Sequence, residues 1–447
     1  MKIPTMPSTL SSKLPIFGIA FLLLASFLLH FLFISYPDQV VFDEVHYGTF
    51  SNGYLSGKYF FDIHPPLGSL LITLSGWLFG YQDASFSFEH IGKELSNIHA
   101  LRVLPALAGS FLPLAVYFLM RSLGVRRLVS FFAGLFILLE NGLLAHTRLA
   151  LPDAFLLLFG VLGLTFFFSS RRKNYYLPFL FLAGAFFAFS FSVKWTGLAF
   201  PALAALIFAK DMIVNFFVPR EERKIFLFPK FIFLLSVIPF LLYFAVFTVH
   251  FALLPKAGPG DAFMSEKFRQ GELNTVEKFL ELNAVKYLTN KDFTATHPYG
   301  SEWHSWPLMA RTVFYWTEDN RYIYLLGNPV VWWGSTMGIG LALLGLLLSR
   351  SLRKDETLYF LLAGYFVSFL PFMLISRVMF LYHYFIPLVF AILIFSYIIG
   401  KAKYALPILL VLGLASLVAF AYFIPLTYGF PLDDNALQNR MWLSSWR

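Results

Sequence analysis

Two adjacent acids, Asp43 and Glu44, stand in the segment FDEVHYGTF directly behind the first long apolar run of the chain. Neighbours on a helix project about 100° apart, so the two carboxylates cannot aim at one atom and must have different tasks. One suits a general base and the other suits holding a substrate. The competing assignment makes Asp43 a helix N-cap with Glu44 in the first turn. Downstream, YFFDIHPPLG adds Asp62 and His64 ahead of two prolines that fix the chain and can start a helix. Asp43, Glu44, His46, Asp62 and His64 match no established metal-ligand spacing, and the chain has no cysteine to supply a thiolate. The three acids could hold a hard cation through oxygen, but nearby basic residues compete for that role, so no metal and no cofactor are expected.

Further ionisable residues recur beside apolar segments, where charge is costly and marks function by default. They are Arg102, Glu140, Arg148, Asp153, Lys194, Arg377 and His383. Placed on the spans described below, all fall at the same end of the molecule as the acidic loop. That common depth predicts a polar pocket roofed by loops. The alternative is that some of them, Arg148 above all, are interfacial anchors.

The elements that must position these residues are helices in a bilayer. Of 447 residues, 58% are hydrophobic and 13% are charged, about half the ~25% of soluble domains. Apolar runs near the length needed to cross a bilayer predict eleven spans: Leu14–Ile34, Ala100–Met120, Leu128–Ala145, Ala154–Ser169, Leu177–Val193, Thr196–Phe217, Phe226–His250, Val330–Leu348, Leu358–Ile375, Leu381–Ile399 and Tyr404–Phe423. These segments are apolar on every face, which excludes a β-barrel and gives an all-α polytopic membrane fold. The first run is too long for a signal-peptide core and lacks a small-residue cleavage site before Tyr36.

Lys and Arg crowd one set of loops, from Lys2 and Lys13 through Arg121, Arg126, Arg127, Arg171, Arg172, Lys173, Lys210, Arg220, Arg223, Lys224 and Lys230 to Arg350, Arg353, Lys354, Lys401 and Lys403. Only Asp211, Glu221, Glu222, Asp355 and Glu356 oppose them there. The formal net charge of +9 is thus a topology signal that places the N-terminus in the cytoplasm and the C-terminus outside, in the cell membrane. Nucleic acid is not an expected partner. Residues 1–447 read as one membrane domain with a first exterior loop at 35–99, a long exterior loop at 251–328 and an exterior tail at 424–447. Glu44–Leu55 and Leu67–Phe79 suit short helices in the first loop, the second of them lying at the membrane interface, and Asn274–Tyr287 reads as a charged helix in the second.

FDEVHYGTF, YFFDIHPPLG, LRVLPALAG, LAHTRLALPDAFLLLF, SVKWTGL, SWPLMARTVFYW, LGNPVVWWGS, FLYHYFIP and the closing MWLSSW occur in an order that resembles the protein O-mannosyltransferases. The resemblance implies the C-type glycosyltransferase fold, a polyprenyl-phosphate-mannose donor, and Ser or Thr acceptors on secreted or membrane proteins. Membrane lipids and the protein translocation machinery are the partners that go with it. The loop from Phe251 to Asn328 is too short for the β-rich insert of fungal and animal members, which implies a bacterial or archaeal form.

Chemistry accounts for the residue types separately. A lipid phosphate departs as an anion and needs no acid, unlike the alcohol leaving groups of glycosidases. One carboxylate base and a few cations suffice, and a single displacement inverts the anomeric centre. Asp43 is the expected base and Glu44 its partner at the acceptor. Asp62, His64, Glu140 and Asp153 are expected at the acceptor or sugar. Arg102, Lys194, Arg377, His383 and Tyr384 are expected at the donor phosphate. A transferase acting on lipid A or a cell-envelope glycan is the alternative. A transporter would need charges continuing toward the other half of the spans, which is apolar.

Overall fold

A computed structural model describes residues 8–217, 227–292 and 296–447. Lys2, Arg220, Glu221, Glu222, Arg223, Lys224 and Phe226 lie outside the described residues, as does the side chain of Lys13. Ser8–Phe31 (α1) leads into the first long loop, which holds Glu44–Ser56 (α2) and Leu67–Phe79 (α3). His99–Ser122 (α4), Arg127–Leu138 (α5), Asn141–Thr147 (α6), Asp153–Arg172 (α7), Leu177–Val193 (α8) and Ala199–Phe216 (α9) follow. Leu227–Ile232 (α10) continues through one wide π turn into Ile238–Leu253 (α11).

The second long loop carries Glu266–Arg269 (α12), Thr275–Asp292 (α13) and a hairpin of Val313–Glu318 (β1) with Arg321–Leu325 (β2). Pro329–Leu348 (α14), Glu356–Phe369 (α15), Phe385–Gly400 (α16), Ala405–Tyr428 (α17) and Asp434–Arg440 (α18) complete the chain.

Among the described residues, eight helical segments are long and apolar enough to cross a membrane, or nine when α5 and α6, bent by 62°, count as one. The apolar helices Ile16–Phe31 and Leu177–Val193 lie at two further expected spans but are shorter, so at most nine of the expected eleven are long enough to cross. α7 and α16 are the most enclosed, with the small residues Gly160 and Gly163 admitting Phe200 and Phe187 against α7. A Cβ at Gly160 would lie 2.0 Å from the Phe200 ring. Exposed Phe17, Leu24, Leu347, Val411 and Leu414 give α1, α14 and α17 the apolar outer faces that lipid requires.

The hairpin is the departure from an all-helical reading. Two aromatic-rich strands, joined at Asp319 and Asn320, pair antiparallel with Glu318 opposite Arg321. Asp319 takes φ 50°, a left-handed value that Asp tolerates in turns. A bulge between Phe314 and Trp316 leaves Tyr315 outside the pairing, and bulges of this kind re-aim a side chain.

Candidate active site

Asp43 stands at the N-terminus of α2 but makes no side-chain capping bond, so its carboxylate is not consumed by the helix. Phe42 ahead of it adopts φ 49°, a costly value for a bulky residue. Its ring is held there by stacking on Tyr315 at 4.1 Å and by an edge contact with Tyr382 at 6.1 Å. Burial pushes the Asp43 carboxyl above its ordinary range, and His46, Lys194 and His146 pull the other way. Asp43 thus senses a cluster drawn from α6, α7 and the end of α8.

Glu44 has the opposite fate and corrects the expectation of a substrate-binding role. Its fully buried carboxylate accepts from Arg102 Nε at 2.7 Å and Nη2 at 2.8 Å, from the Val41 amide at 2.9 Å and from the Ala150 amide at 2.9 Å. Arg102, expected at the donor phosphate, spends its other donors on the carbonyls of Ile34, Pro37 and Gln39. This bidentate pair ties the first loop to α4 and to the turn before α7, and it has no donor left for a ligand.

A cavity of about 320 Å³ is lined by His64, Asp153, Lys194, Arg377, Tyr382 and His383, among others. Lys194 Nζ donates to both oxygens of Asp153, at 2.9 and 2.8 Å. Asp153 Oδ2 also lies 2.9 Å from His146 Nε2, and His146 Nδ1 lies 2.5 Å from the Tyr315 hydroxyl. With the proton on Nε2, a neutral His146 donates to Asp153 and accepts from Tyr315, so one tautomer satisfies the chain. An ammonium has three donors, so Lys194 keeps one for a ligand.

Arg377 makes no hydrogen bond or ion pair among the described residues and is a cation without a partner at the cavity wall. His383 Nδ1 is engaged by the Phe380 backbone at 3.0–3.1 Å, which leaves Nε2 for a ligand. Burial, with the charges of Lys194 and Arg377, holds the His64 imidazole well below its usual range and therefore neutral.

Three other expected site residues are placed elsewhere. Asp62 is buried behind His64, accepting the His64 amide at 2.9 Å and Ser69 Oγ at 3.2 Å, so it shapes the loop instead of contacting sugar. Glu140 caps α6 through the Leu143 amide at 2.6 Å and accepts the Asn328 amide at 2.6 Å, locking the helix break to the start of α14. Gly327 lies against it: a Cβ there would be 2.5 Å from Glu140 Oε1. Tyr384 is fully buried in the bundle, its hydroxyl 3.2 Å from that of Tyr365 and its ring beside Trp332.

His146, Tyr315 and Tyr382 are the site residues that sequence reasoning missed. His146 had a signal, a histidine seven residues ahead of Asp153 across a helix break. Tyr315 had none, because a bulge delivers it.

The arrangement sets the Asp43 carboxylate, with no side-chain hydrogen bond among the described residues, within the field of Lys194 and His146. It can hold an anion next to a general base.

The family described as dolichyl-phosphate-mannose-protein mannosyltransferase matches residues 20–255, and the C-terminal four-transmembrane region of protein O-mannosyltransferase matches residues 275–446. Dolichyl-phosphate-mannose–protein mannosyltransferase 4 of Candida albicans is 34% identical over 52% of this chain and 33% of its own length. Protein O-mannosyltransferase 1 of Drosophila melanogaster is 31% identical over 66% of this chain and 34% of its own. The chain thus spans about a third of the length of these curated relatives.

In fold, it superimposes on a chain of the S. cerevisiae Pmt1-Pmt2 complex bound to the sugar donor with a TM-score of 0.89 at 20% identity, over 100% of this chain and 95% of that one. ArnT from Cupriavidus metallidurans bound to undecaprenyl phosphate gives 0.54 at 14% identity, over 94% and 66%. With a family description matched across more than half of its residues, the chain belongs to the dolichyl-phosphate-mannose-protein mannosyltransferase family.

Proposed function

We propose that this protein moves mannose from polyprenyl-phosphate mannose to Ser or Thr hydroxyls of proteins, with inversion at the anomeric carbon. The observation that carries the reading is an uncommitted guanidinium, Arg377, in a cavity whose Lys194 also acts on the uncapped Asp43 carboxylate. Asp43 takes the proton of the acceptor hydroxyl as its oxygen attacks C1. The sugar–phosphate bond breaks, and the electron pair leaves on the lipid phosphate. Arg377, the remaining Lys194 donor and His383 Nε2 receive that charge, so the leaving group needs no proton. Asp153 and His146 orient Lys194. The names of the family's members support this donor and acceptor.

No divalent metal takes part in this scheme, because the donor has a single phosphate and basic side chains stand where it would lie. Activity should survive exhaustive chelation with EDTA; complete loss, restored by one particular ion, would make Asp43 a ligand. The site faces the exterior of the cell membrane, with the N-terminus cytoplasmic and the C-terminus outside, so acceptors meet it as they leave the translocation machinery. The test is purified protein with radiolabelled polyprenyl-phosphate mannose and a Ser/Thr-rich peptide. Label on the peptide is expected. Label on added lipid A or envelope glycan, with none on peptide, would overturn the acceptor class.

A further inference from the structure

We propose that α13, in the second long loop, is a positioning element of the active site: Lys286 and Asn290 clasp the backbone of Asp62–His64, and Asn283 steadies the Lys194–Trp195 turn. The proposal rests on the reading of the cavity as the transferase site. Asn283, Lys286 and Asn290 recur at spacings of three and four, which puts them on one face of the helix. Lys286 is only 1% exposed yet, among the described residues, has no carboxylate in ion-pair range. Its ammonium donates to the carbonyls of Asp62 and of His64, the latter at 2.7 Å. Asn290 Nδ2 donates to the Ile63 carbonyl between them at 3.0 Å.

Three consecutive carbonyls are therefore held by one helix face. That segment needs outside donors, since Pro65 and Pro66 contribute no N–H to local pairing. Burying an ammonium is expensive unless its hydrogen bonds are replaced, so this contact has to be maintained and is not incidental packing. The Phe61 ring lies 5.4 Å from the Lys286 Nζ and stacks on Phe263 at 4.3 Å, which closes the clasp from the side.

The same helix reaches the opposite wall. Asn283 accepts from the Tyr243 hydroxyl at 2.6 Å, and Tyr243 accepts from Trp195 Nε1 at 3.0 Å. Trp195 follows Lys194 directly, so α13 holds the segments that carry His64 and Lys194 at once. Phe279 anchors it on α11 through Phe240, Tyr243, Phe244 and Phe247. Tyr287, Asn290 and Lys291 also line the cavity. The second loop is thereby part of the apparatus that sets the distance between the sugar end and the phosphate end of the site.

Lys286→Met keeps the length and removes every donor; Asn290→Ala removes one. Each is assayed for kcat and KM with donor and peptide, for affinity to polyprenyl phosphate alone, and for hydrogen exchange across residues 60–66. Lys286→Met should lower kcat at least tenfold and raise exchange in 60–66. Polyprenyl phosphate affinity should stay within threefold, because Arg377 and Lys194 are intact. Asn290→Ala should show the same pattern at about threefold in kcat. Wild-type kcat and exchange in either folded variant would overturn the clasp, and so would a fall in activity that tracks a lowered melting temperature without faster exchange in 60–66. Should Lys286→Met fail to fold, Asn290→Ala decides alone. If the wild type labels no peptide, the functional reading fails, while the exchange measurement still reports on the clasp.

Discussion

Asp43 and Glu44 are consecutive residues of one loop, yet they end in opposite states. Glu44 is fully buried and receives four hydrogen bonds, two of them from Arg102. Asp43 makes no capping bond, and its carboxyl senses Lys194 and Asp153, which line a cavity with Arg377, unpaired among the described residues. A saturated charge has nothing left to give a substrate, and breaking its pairing leaves a buried partner uncompensated. An unsaturated charge near a cavity is costly for the fold and is retained for what it binds or deprotonates. The contrast separates structural from chemical roles more sharply than residue type does, since both are acids and both are ringed by cations.

The contrast can be broken most severely at the saturated side. Arg102→Met should cost about 3–5 kcal/mol of stability by stranding the Glu44 carboxylate, read as a lower melting temperature in detergent with activity lost in proportion to folded protein. A stable variant with selectively weakened donor binding would return Arg102 to the phosphate. On the open side, Arg377→Ala should leave melting unchanged and weaken polyprenyl phosphate affinity by about 10- to 100-fold, the range for a charged hydrogen bond. Unchanged affinity would remove Arg377 from the site.

The pH profile sharpens the comparison. Burial raises the Asp43 carboxyl above its usual range, so its base form is lost as pH falls through that raised value. The acid limb of kcat should therefore lie above the ~3.9 of an ordinary Asp. A limb at or below that value would mean that Asp43 is not the titrating base. The smallest effect belongs to Tyr315→Phe, which removes one hydroxyl from the far end of the chain through His146 and Asp153. A loss of about three- to tenfold in kcat is expected, near 1 kcal/mol.

Much of this was legible in the residues. Period and length located the helices, and α3 occupies the expected Leu67–Phe79. Charge at a common depth pointed to Asp153, Lys194, Arg377 and His383, which share one cavity with His64 from the segment YFFDIHPPLG. What was hidden is the direction of each side chain. Depth along a span says nothing about rotation, so Tyr384 and His383, adjacent in sequence, part company: one faces the bundle core and the other the cavity. Glu140 reads as a functional acid until the helix break it caps is seen. Tyr315 depends on a bulge in a hairpin that an all-helical reading does not contain.

The central claim is that Asp43 alone of the acidic pair does chemistry, and Asp43→Asn tests it most directly. In one preparation, binding of polyprenyl-phosphate mannose and transfer of labelled mannose to peptide are measured side by side against wild type. Donor affinity and melting temperature should be near normal while transfer falls by about 10²–10⁴-fold, the contribution of a general base. Near-normal transfer by Asp43→Asn would contradict the account.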